Sequence, residues 1–427
     1  MTGGILSLCL IVGGTLITGA ANSLLTKYQD NQCVKNCSGA EGTPVKFEQP
    51  GIQTLQMFLG ELAMFLVYIA YRYHQAQQVQ QQQQNKRGAD ASEVSILSSP
   101  ESAGADDTEE RIKRKVQAEH IGLLENWRLA IPAICDLSCT TLLNIGLVYT
   151  PVSIYQMTRG SVVLFVAILS VVFLKRKITK LQWLSLSFVT LGVAIVGLSG
   201  SRHSGSKSVA SAATSASAAG AIILGISLIV VATSLQGIQF VVEEHILARN
   251  PIMPLQLVYI EGFFGTASIL FFMILLNYIF SYWQTPDEFA DSKFNMIEAF
   301  AQTVTNPRVL ISSILIMISI ATFNFCGLSI THRISATARS TVDTCRTLIV
   351  WIVAIAMGWE QFHWLQLSGF IVLVCGTLCF NGVIKPEEWR CTPSWLKEKT
   401  SDGQDRAVAG EEGRGLIEDF EEFEGRT

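Results

Sequence analysis

Residues 151–177 read PVSIYQMTRGSVVLFVAILSVVFLKRK, a stretch that is long enough to cross a bilayer and is closed by a basic cluster. Arg159 stands well inside this stretch. It lies roughly 12 Å along a helix from Pro151, so it cannot easily reach either headgroup layer of a hydrocarbon core about 30 Å thick. A lone arginine at that depth costs roughly 2.5–3.5 kcal/mol. We therefore expect a buried carboxylate or a water-filled pathway beside Arg159.

The composition of the whole chain indicates a polytopic membrane protein. Of its 427 residues, 49% are hydrophobic and only 15% are charged, a balance that does not suit an ordinary soluble domain. An all-α membrane protein is the predicted fold class. Stretches of about twenty apolar residues predict ten membrane helices, at residues 5–25, 52–72, 129–149, 152–174, 180–199, 219–241, 255–280, 309–330, 334–357 and 363–384.

The distribution of lysine and arginine predicts that both termini are cytosolic. Most basic residues fall on the cytosolic side of that arrangement, and the tight cluster Lys175-Arg176-Lys177 is the strongest signal. The same orientation places Cys33, Cys37 and the N-glycosylation sequon at Asn36 in a lumenal loop. The sequence leaves open whether Asn36 is glycosylated and whether Cys33 and Cys37 form a disulfide.

Two segments have too little apolar surface to fold. A glutamine tract and the polar residues that follow it predict a disordered cytosolic loop at about 74–126, and residues 386–427 predict a disordered cytosolic tail. In the tail, Glu412, Leu416 and Ile417 form an acidic dileucine pattern that a clathrin adaptor reads in extended, cytosolic peptides. A pattern as short as this one also occurs by chance. The pattern favours sorting to an endosomal or lysosomal membrane.

A surface helix is expected in the loop from residue 282 to residue 307. Phe289, Phe294, Ile297 and Phe300 recur there at helix-like spacing, which is typical of an amphipathic helix. The Ser/Ala-rich residues 204–219 predict a flexible lumenal loop instead.

The two halves of the chain share a layout that predicts an internal repeat. A span with Gln56 and Glu61 follows a proline in the first half, and a span with Gln256 and Glu261 follows a proline in the second. Five spans per half is an odd number, so the second half must enter the membrane from the opposite side, giving a 5+5 inverted repeat. Chance alignment of two apolar pentads is the competing interpretation. The predicted repeats are residues 1–200 and 201–385.

Ionisable residues inside the predicted spans are the strongest functional signal, because buried charge in a membrane marks pathways and sites. The bases Arg339 and Arg346 share one helix face with Asp343, and Gln156 shares a face with Arg159. Four acids against three bases leave one carboxylate over, which can carry a proton. The full set of such charged residues is Glu61, Asp136, Glu261, Asp343, Arg159, Arg339 and Arg346.

Two interpretations compete for these residues. In the first they are ion pairs that only fix helix packing. In the second they line an aqueous cavity in which arginines attract an anionic or polar solute. Gln236, Gln239 and Glu243 mark one face of the sixth span, but we expect Glu243 and its neighbour Glu244 to be interfacial, because they lie at a cytosolic helix end.

Several classes of protein are not indicated. The sequence contains no Gly-x-x-x-x-Gly-Lys, His-Glu-x-x-His or Cys-x-x-Cys motif, so we expect no ATP-driven pump, no metal site and no cofactor. We also expect no nucleic-acid partner. Asp136 and Asp343 are the only acids suited to intramembrane proteolysis, and their surroundings lack a protease motif. The chain is therefore predicted not to be an enzyme.

The chain resembles the F branch of the solute carrier 35 family, within the drug/metabolite transporter superfamily. The similarity covers about residues 5–385. It is carried by Met57-Phe-Leu-Gly-Glu61, Tyr155-Gln-Met-Thr-Arg159-Gly160, Val242-Glu243-Glu244, Glu261-Gly262, Phe323-Asn324-Phe325, Ser335-Ala336-Thr337, Arg346-Thr347 and Gly358-Trp359-Glu360.

This resemblance implies a 5+5 inverted-repeat carrier of endomembranes, with a lysosome, vacuole or endosome favoured and the Golgi or a mitochondrion left open. It adds Asn324 to the expected site. We expect a secondary transporter that moves a small organic metabolite through the bilayer by alternating access, with proton coupling left open. A nucleotide-sugar exchanger and a non-transporting scaffold are the alternatives. Substrate, direction of transport and a homodimeric state are not decided by the sequence.

Overall fold

The computed structural model describes residues 2–37, 45–47, 49–93, 129–150, 155, 158–175, 179–204, 215–249, 252–285, 289, 292, 295–358, 362 and 364–380. Most of them are helical. The helices are α1 (Thr2–Asp30), α2 (Pro50–Glu93), α3 (Ala130–Tyr149), α4 (Val162–Leu174), α5 (Lys180–Ser204), α6 (Ser215–Arg249), α7 (Pro254–Trp283), α8 (Met296–Thr305), α9 (Pro307–Arg333), α10 (Ala336–Ala356) and α11 (Trp364–Phe380). The strands β1 (Cys33–Lys35) and β2 (Val45–Lys46) form an antiparallel hairpin.

Among the described residues, five segments are long and apolar enough to cross a membrane: Leu6–Asp30, Pro50–Gln78, Ile223–Arg249, Pro254–Trp283 and Pro307–Arg333. Four shorter apolar helices are Ala130–Gly146, Val162–Leu174, Lys180–Ile195 and Trp364–Phe380. The remaining predicted span contains α10, whose three charged residues lower its hydropathy. Each predicted span thus contains a helix, while the number of crossings stays a prediction.

Helix packing joins the two halves of the chain. The most extensive contacts are α5 with α11, α3 with α6, α1 with α9, and α2 with α7. Let α1, α2, α3, α4 and α5 correspond in order to α6, α7, α9, α10 and α11. Exchanging corresponding helices then turns the pair α3–α6 into the pair α1–α9, and it leaves the pairs α2–α7 and α5–α11 unchanged. The pair α4 and α6 likewise has its counterpart in α1 and α10. The contacts therefore have an approximate two-fold relation.

Two glycines show this relation at the level of single atoms. A Cβ built on Gly192 of α5 would lie 2.7 Å from the backbone nitrogen of Leu373, three residues before Gly376. A Cβ built on Gly376 of α11 would lie 2.9 Å from the backbone nitrogen of Val189, three residues before Gly192. Each glycine thus admits the backbone of the other helix at the same relative position, which is the role of small residues between membrane helices.

A small cap covers one end of the bundle. Cys33 and Cys37 form a disulfide beside the hairpin, which settles the pairing that the sequence left open. Phe47 is fully buried against Ile52 and Val309. Lys35 Nζ lies 3.1 Å from Glu298 Oε1 of α8, and this hydrogen bond holds the pKa of the Glu298 carboxyl below its usual value.

One prediction about the loops needs correction. The predicted disordered loop begins too early, because α2 continues through the glutamine tract to Glu93. Glutamine is a good helix former, and extending an existing helix costs less than nucleating one.

The surface helix that was expected in the loop from residue 282 to residue 307 is present as α8. Its buried residues are Ala299 and Thr303, while Ile297 is 79% exposed.

The contact between α2 and α7 depends on Gly262. A Cβ there would lie 2.7 Å from the carbonyl carbon of Glu61 and 2.8 Å from its Cβ. Glycine to alanine normally stabilises a helix by about 0.5–1 kcal/mol, but here the added methyl meets backbone. We predict that Gly262→Ala lowers the free energy of unfolding by about 1–3 kcal/mol, measured as a lower thermal unfolding midpoint in detergent.

Gly13 of α1 is the matched control, since a Cβ built there meets nothing within 4 Å. Gly13→Ala should leave the midpoint unchanged or raise it slightly. A Gly262→Ala protein as stable as the original chain would contradict the close α2–α7 contact.

Candidate functional site

A cavity of about 180 Å³ lies inside the helix bundle. Of the predicted site residues, it is lined by Asp136, Arg159, Asn324, Arg339 and Arg346. Polar residues that the sequence analysis did not select complete much of the wall, namely Asn22, Ser23, Thr26, Lys27, Asp30, Thr140, Asn144, Tyr155, Gln236 and Gln239. A polar cavity at this depth in an apolar bundle is suited to a hydrophilic solute.

The cavity extends from one end of α1 towards the start of α10. Arg333 Nη1 donates to Ser7 Oγ at 3.1 Å, and Arg346 Nη1 donates to Ser23 Oγ at 2.9 Å. These contacts show that α1 and the segment entering α10 run in the same direction. Because Asp30 at the end of α1 also lines the cavity, the cavity reaches from that end of the bundle to Arg339, two turns before Arg346.

Arg346 makes several contacts with α1 and with its own helix. Its Nε and Nη2 atoms both lie 2.7 Å from Asp343 Oδ1, and its Nη1 atom also donates to the carbonyl of Gly19 at 3.3 Å. The guanidinium stands 5.1 Å from the centre of the Phe323 ring. Both members of the pair are only 2% exposed. Their charges are therefore compensated by one another within α10.

Arg339 makes the second buried ion pair, with Glu243 of α6. Its Nη1 atom donates to Glu243 Oε2, and Gln239 Nε2 donates to Glu243 Oε1 at 2.8 Å. The guanidinium also lies 4.1 Å from the centre of the Phe240 ring. Gly327 makes room for it, because a Cβ there would lie 2.8 Å from Arg339 Nε. The pair joins α6 to α10 where the cavity ends.

The expectation that Glu243 is interfacial is wrong, since Glu243 is 0% exposed. Helix α6 continues to Arg249, so Glu243 lies inside it rather than at its end. Glu244 is also buried, and its Oε2 atom accepts from the backbone N–H of Ala336 at 2.9 Å. A carboxylate at a helix N-terminus is favourable because it satisfies a free N–H and the helix dipole. The sequence signal for Glu243 was its shared face with Gln236 and Gln239.

Arg159 and Asp136 differ from these paired residues. Both line the cavity and both are partly exposed to it. Arg159 Nε has no hydrogen-bond partner among the described residues. Asp136 Oδ1 accepts from Thr140 Oγ1 at 3.5 Å. Within the described part of the chain, neither residue has an ion pair, although their charges are opposite.

Glu61 and Glu261 lie behind the cavity wall. Asn324 Nδ2 donates to Glu61 Oε1 at 2.5 Å, so Asn324 separates Glu61 from the cavity. Glu261 is 5% exposed, and its Oε1 atom has no partner in the described ranges. Gly262, which follows Glu261, packs on the backbone of Glu61. The two glutamates therefore lie on the helices that pack together at the α2–α7 contact.

Some predicted residues cannot be placed. Gln156 and the dileucine residues Glu412, Leu416 and Ile417 lie outside the described residues. Asn36 is described, with an exposed side chain and a left-handed backbone (φ 54°), a conformation that asparagine tolerates. Its glycosylation stays a prediction. No group of His, Cys, Asp and Glu that could hold a metal occurs among the described residues.

Known proteins resemble this chain along most of its length. A family described as nucleotide-sugar transporter matches residues 102–279. A protein of Schizosaccharomyces pombe described as uncharacterized is 36% identical over 372 residues, covering 87% of this chain and 96% of that protein. Solute carrier family 35 member F6 of Mus musculus is 30% identical over 403 residues, covering 94% of this chain and 95% of that protein. Solute carrier family 35 member F6 of Homo sapiens is 29% identical over 378 residues, covering 88% of this chain and 89% of that protein.

The Arg339–Glu243 pair generates a stability prediction. Glu243→Gln removes one charge and leaves the other buried, which costs about 3–5 kcal/mol in comparable pairs. We therefore predict a strongly lowered thermal unfolding midpoint for this variant in detergent. Replacing both residues, as Arg339→Met with Glu243→Met, removes the uncompensated charge and should restore most of the loss. Equal stability of the Glu243→Gln variant and the original chain would show that the pair is not buried.

Proposed function

Because the chain belongs to the F branch of solute carrier family 35, we propose that it is a secondary carrier that moves a small organic solute by alternating access. The family itself indicates that the chain is a membrane transporter. The observation that carries the finer proposal is a polar cavity that reaches one end of the bundle and stops at a buried ion pair. Such a cavity is what one half of a transport cycle requires.

The Arg339–Glu243 pair acts as a closed gate in this proposal. It joins α6 to the start of α10, and Glu244 adds a second link to the backbone of Ala336. To expose the cavity on that side, α6 and α10 must separate and the pair must be hydrated or exchanged for new partners. A buried ion pair is suited to such a switch, because it is stable only in a closely matched geometry.

The two-fold relation of the helix contacts supports an inverted repeat. The exchange of halves that relates Gly192 to Gly376 also relates α3–α6 to α1–α9. In carriers of this kind, one conformation is converted to the other by swapping the roles of the two repeats. The contact of α4 with α10, which maps onto itself, lies beside the site and is where we place this exchange.

Protons are the proposed coupling ion. The two buried arginine pairs use Asp343 and Glu243, which leaves Glu61, Asp136 and Glu261 without an ion pair among the described residues. A buried carboxylate without a cation is costly when charged, so taking up a proton lowers that cost. Glu61 and Glu261 belong to the helices that pack together at the α2–α7 contact, and we place the coupling step there.

Two alternatives and the location stay open to experiment. The match to nucleotide-sugar transporters over residues 102–279 favours a nucleotide-sugar exchanger as the second candidate. A scaffold that has lost transport is the third. We place the protein in an endomembrane, with a lysosome, vacuole or endosome favoured, and propose that Glu412, Leu416 and Ile417 recruit a clathrin adaptor.

The transport proposal is tested by flux into proteoliposomes. Nucleotide sugars, nucleotides, amino acids and amphipathic cations are first screened for thermal stabilisation of the purified chain, and stabilising solutes are then assayed for uptake. We predict that Arg159→Gln lowers uptake at least tenfold while the protein stays folded, because the cavity loses a partly exposed cation that has no ion pair among the described residues. Arg308→Gln is the control, since Arg308 is exposed and does not line the cavity. If uptake into proteoliposomes does not exceed uptake into empty vesicles for any class of solute, the scaffold alternative is favoured.

Proton coupling has a separate test. An imposed pH gradient should accelerate uptake by the original chain and should have little effect on Glu61→Gln, because a glutamine cannot exchange a proton. The control is Glu298→Gln, which removes a carboxyl outside the bundle. A Glu61→Gln protein with undiminished acceleration would place coupling elsewhere.

A further inference from the structure

We infer that the solute of this cavity is a small zwitterion, of amino-acid type, whose carboxylate binds Arg159 and whose ammonium binds Asp136. The inference rests on the proposed transport function and narrows its substrate class. It comes from comparing the three arginines and Asp136 on the cavity wall; the other two charged residues of the wall, Lys27 and Asp30, lie at the end of α1.

The paired arginines are not free to bind a solute. Arg339 is 3% exposed and Arg346 is 2% exposed, and each already has a carboxylate at salt-bridge distance. Arg339 Nε and Arg346 Nη2 have no hydrogen-bond partner among the described residues, but a solute anion that bound either arginine would compete with its buried carboxylate, which is costly. Of the three arginines on the wall, Arg159 alone combines exposure to the cavity with the absence of an ion pair among the described residues.

Asp136 is the matching anion. It lines the same cavity, is partly exposed and is held by Thr140 through one hydrogen bond. A purely anionic solute is attracted by Arg159 but repelled by Asp136. A purely cationic solute is attracted by Asp136 but repelled by Arg159. Only a molecule that carries both charges satisfies both groups, and charge complementarity of this kind sets specificity more than affinity.

The uncharged groups of the wall favour an ammonium near Asp136. Asn22 Oδ1, Gln236 Oε1 and Gln239 Oε1 all line the cavity and have no hydrogen-bond partner among the described residues. Gln236 and Gln239 are 8% and 5% exposed. A buried acceptor without a partner costs about 1–3 kcal/mol, and an ammonium has three N–H donors that can satisfy such oxygens.

The volume of the cavity is consistent with a solute of this size. At about 180 Å³ it is smaller than the roughly 300–1,000 Å³ typical of pockets for drug-sized ligands. A single amino acid is closer to this size than a nucleotide sugar is.

The experiment is a thermal-stabilisation panel on the full chain in detergent. The ligands are free alanine, glutamine, leucine, glutamate and lysine, the N-acetyl form and the methyl ester of each, and UDP-glucose. We expect at least one free amino acid to raise the unfolding midpoint. Its Nα-acetyl form lacks the charge of the α-ammonium group, and its α-methyl ester lacks the charge of the α-carboxylate. Each should need at least tenfold higher concentration for the same shift in the unfolding midpoint.

Two variants assign the charges. Asp136→Asn should abolish the preference for the free amino acid over its N-acetyl form but keep the preference over the ester. Arg159→Gln should do the opposite, and Arg308→Gln should change neither preference. Loss of both preferences in both variants would overturn the assignment of one charge to each residue. If a variant fails to fold, the ligand panel on the original chain still decides whether a zwitterion is required.

The result also separates this inference from the transport proposal. Stabilisation by UDP-glucose, or by the N-acetyl or ester forms as strongly as by the free amino acids, would overturn the zwitterion while leaving transport intact. If none of the solutes is taken up into proteoliposomes, the transport proposal is overturned instead. Stabilisation and uptake of a free amino acid, with the predicted crossed effects of the two variants, would support both.

Discussion

The low dielectric of the bundle interior constrains every charged group in this protein. A charge there must be paired, must face water or must be neutralised. The pairs Arg339–Glu243 and Arg346–Asp343 meet the first condition, and Arg159 and Asp136 meet the second by lining the cavity. Glu61 and Glu261, which are buried and lie outside the cavity, are left for the third. The positions of the helices follow from these requirements as much as from apolar packing.

The two ion pairs have different structural effects. Arg346 and Asp343 belong to the same helix, so their pair is kept when α10 moves as a rigid body. Arg339 and Glu243 belong to different helices, so their pair holds only in one arrangement of α6 and α10. Arg346 also binds α1 through Gly19 and Ser23, which gives α10 a fixed neighbour on one side and a separable one on the other.

Much of the architecture could be predicted from the sequence, and the family resemblance is confirmed. Helical spacing placed Arg339, Asp343 and Arg346 on one face, and that face is buried. Glu243 was missed because its burial depends on the start of α10 packing beside it, and no local pattern records that contact. For the same reason the sequence could not tell the paired arginines from Arg159.

The reciprocal contact of Gly192 and Gly376 has the character of an isologous dimer interface within one polypeptide. Each helix presents the same surface to the other, so any side chain larger than hydrogen acts at a point where two backbones touch. The contact leaves little freedom for α5 and α11 to slide or to separate. In the proposed transport cycle, these two helices form a stationary frame, and the motion is left to the helices around the charged residues.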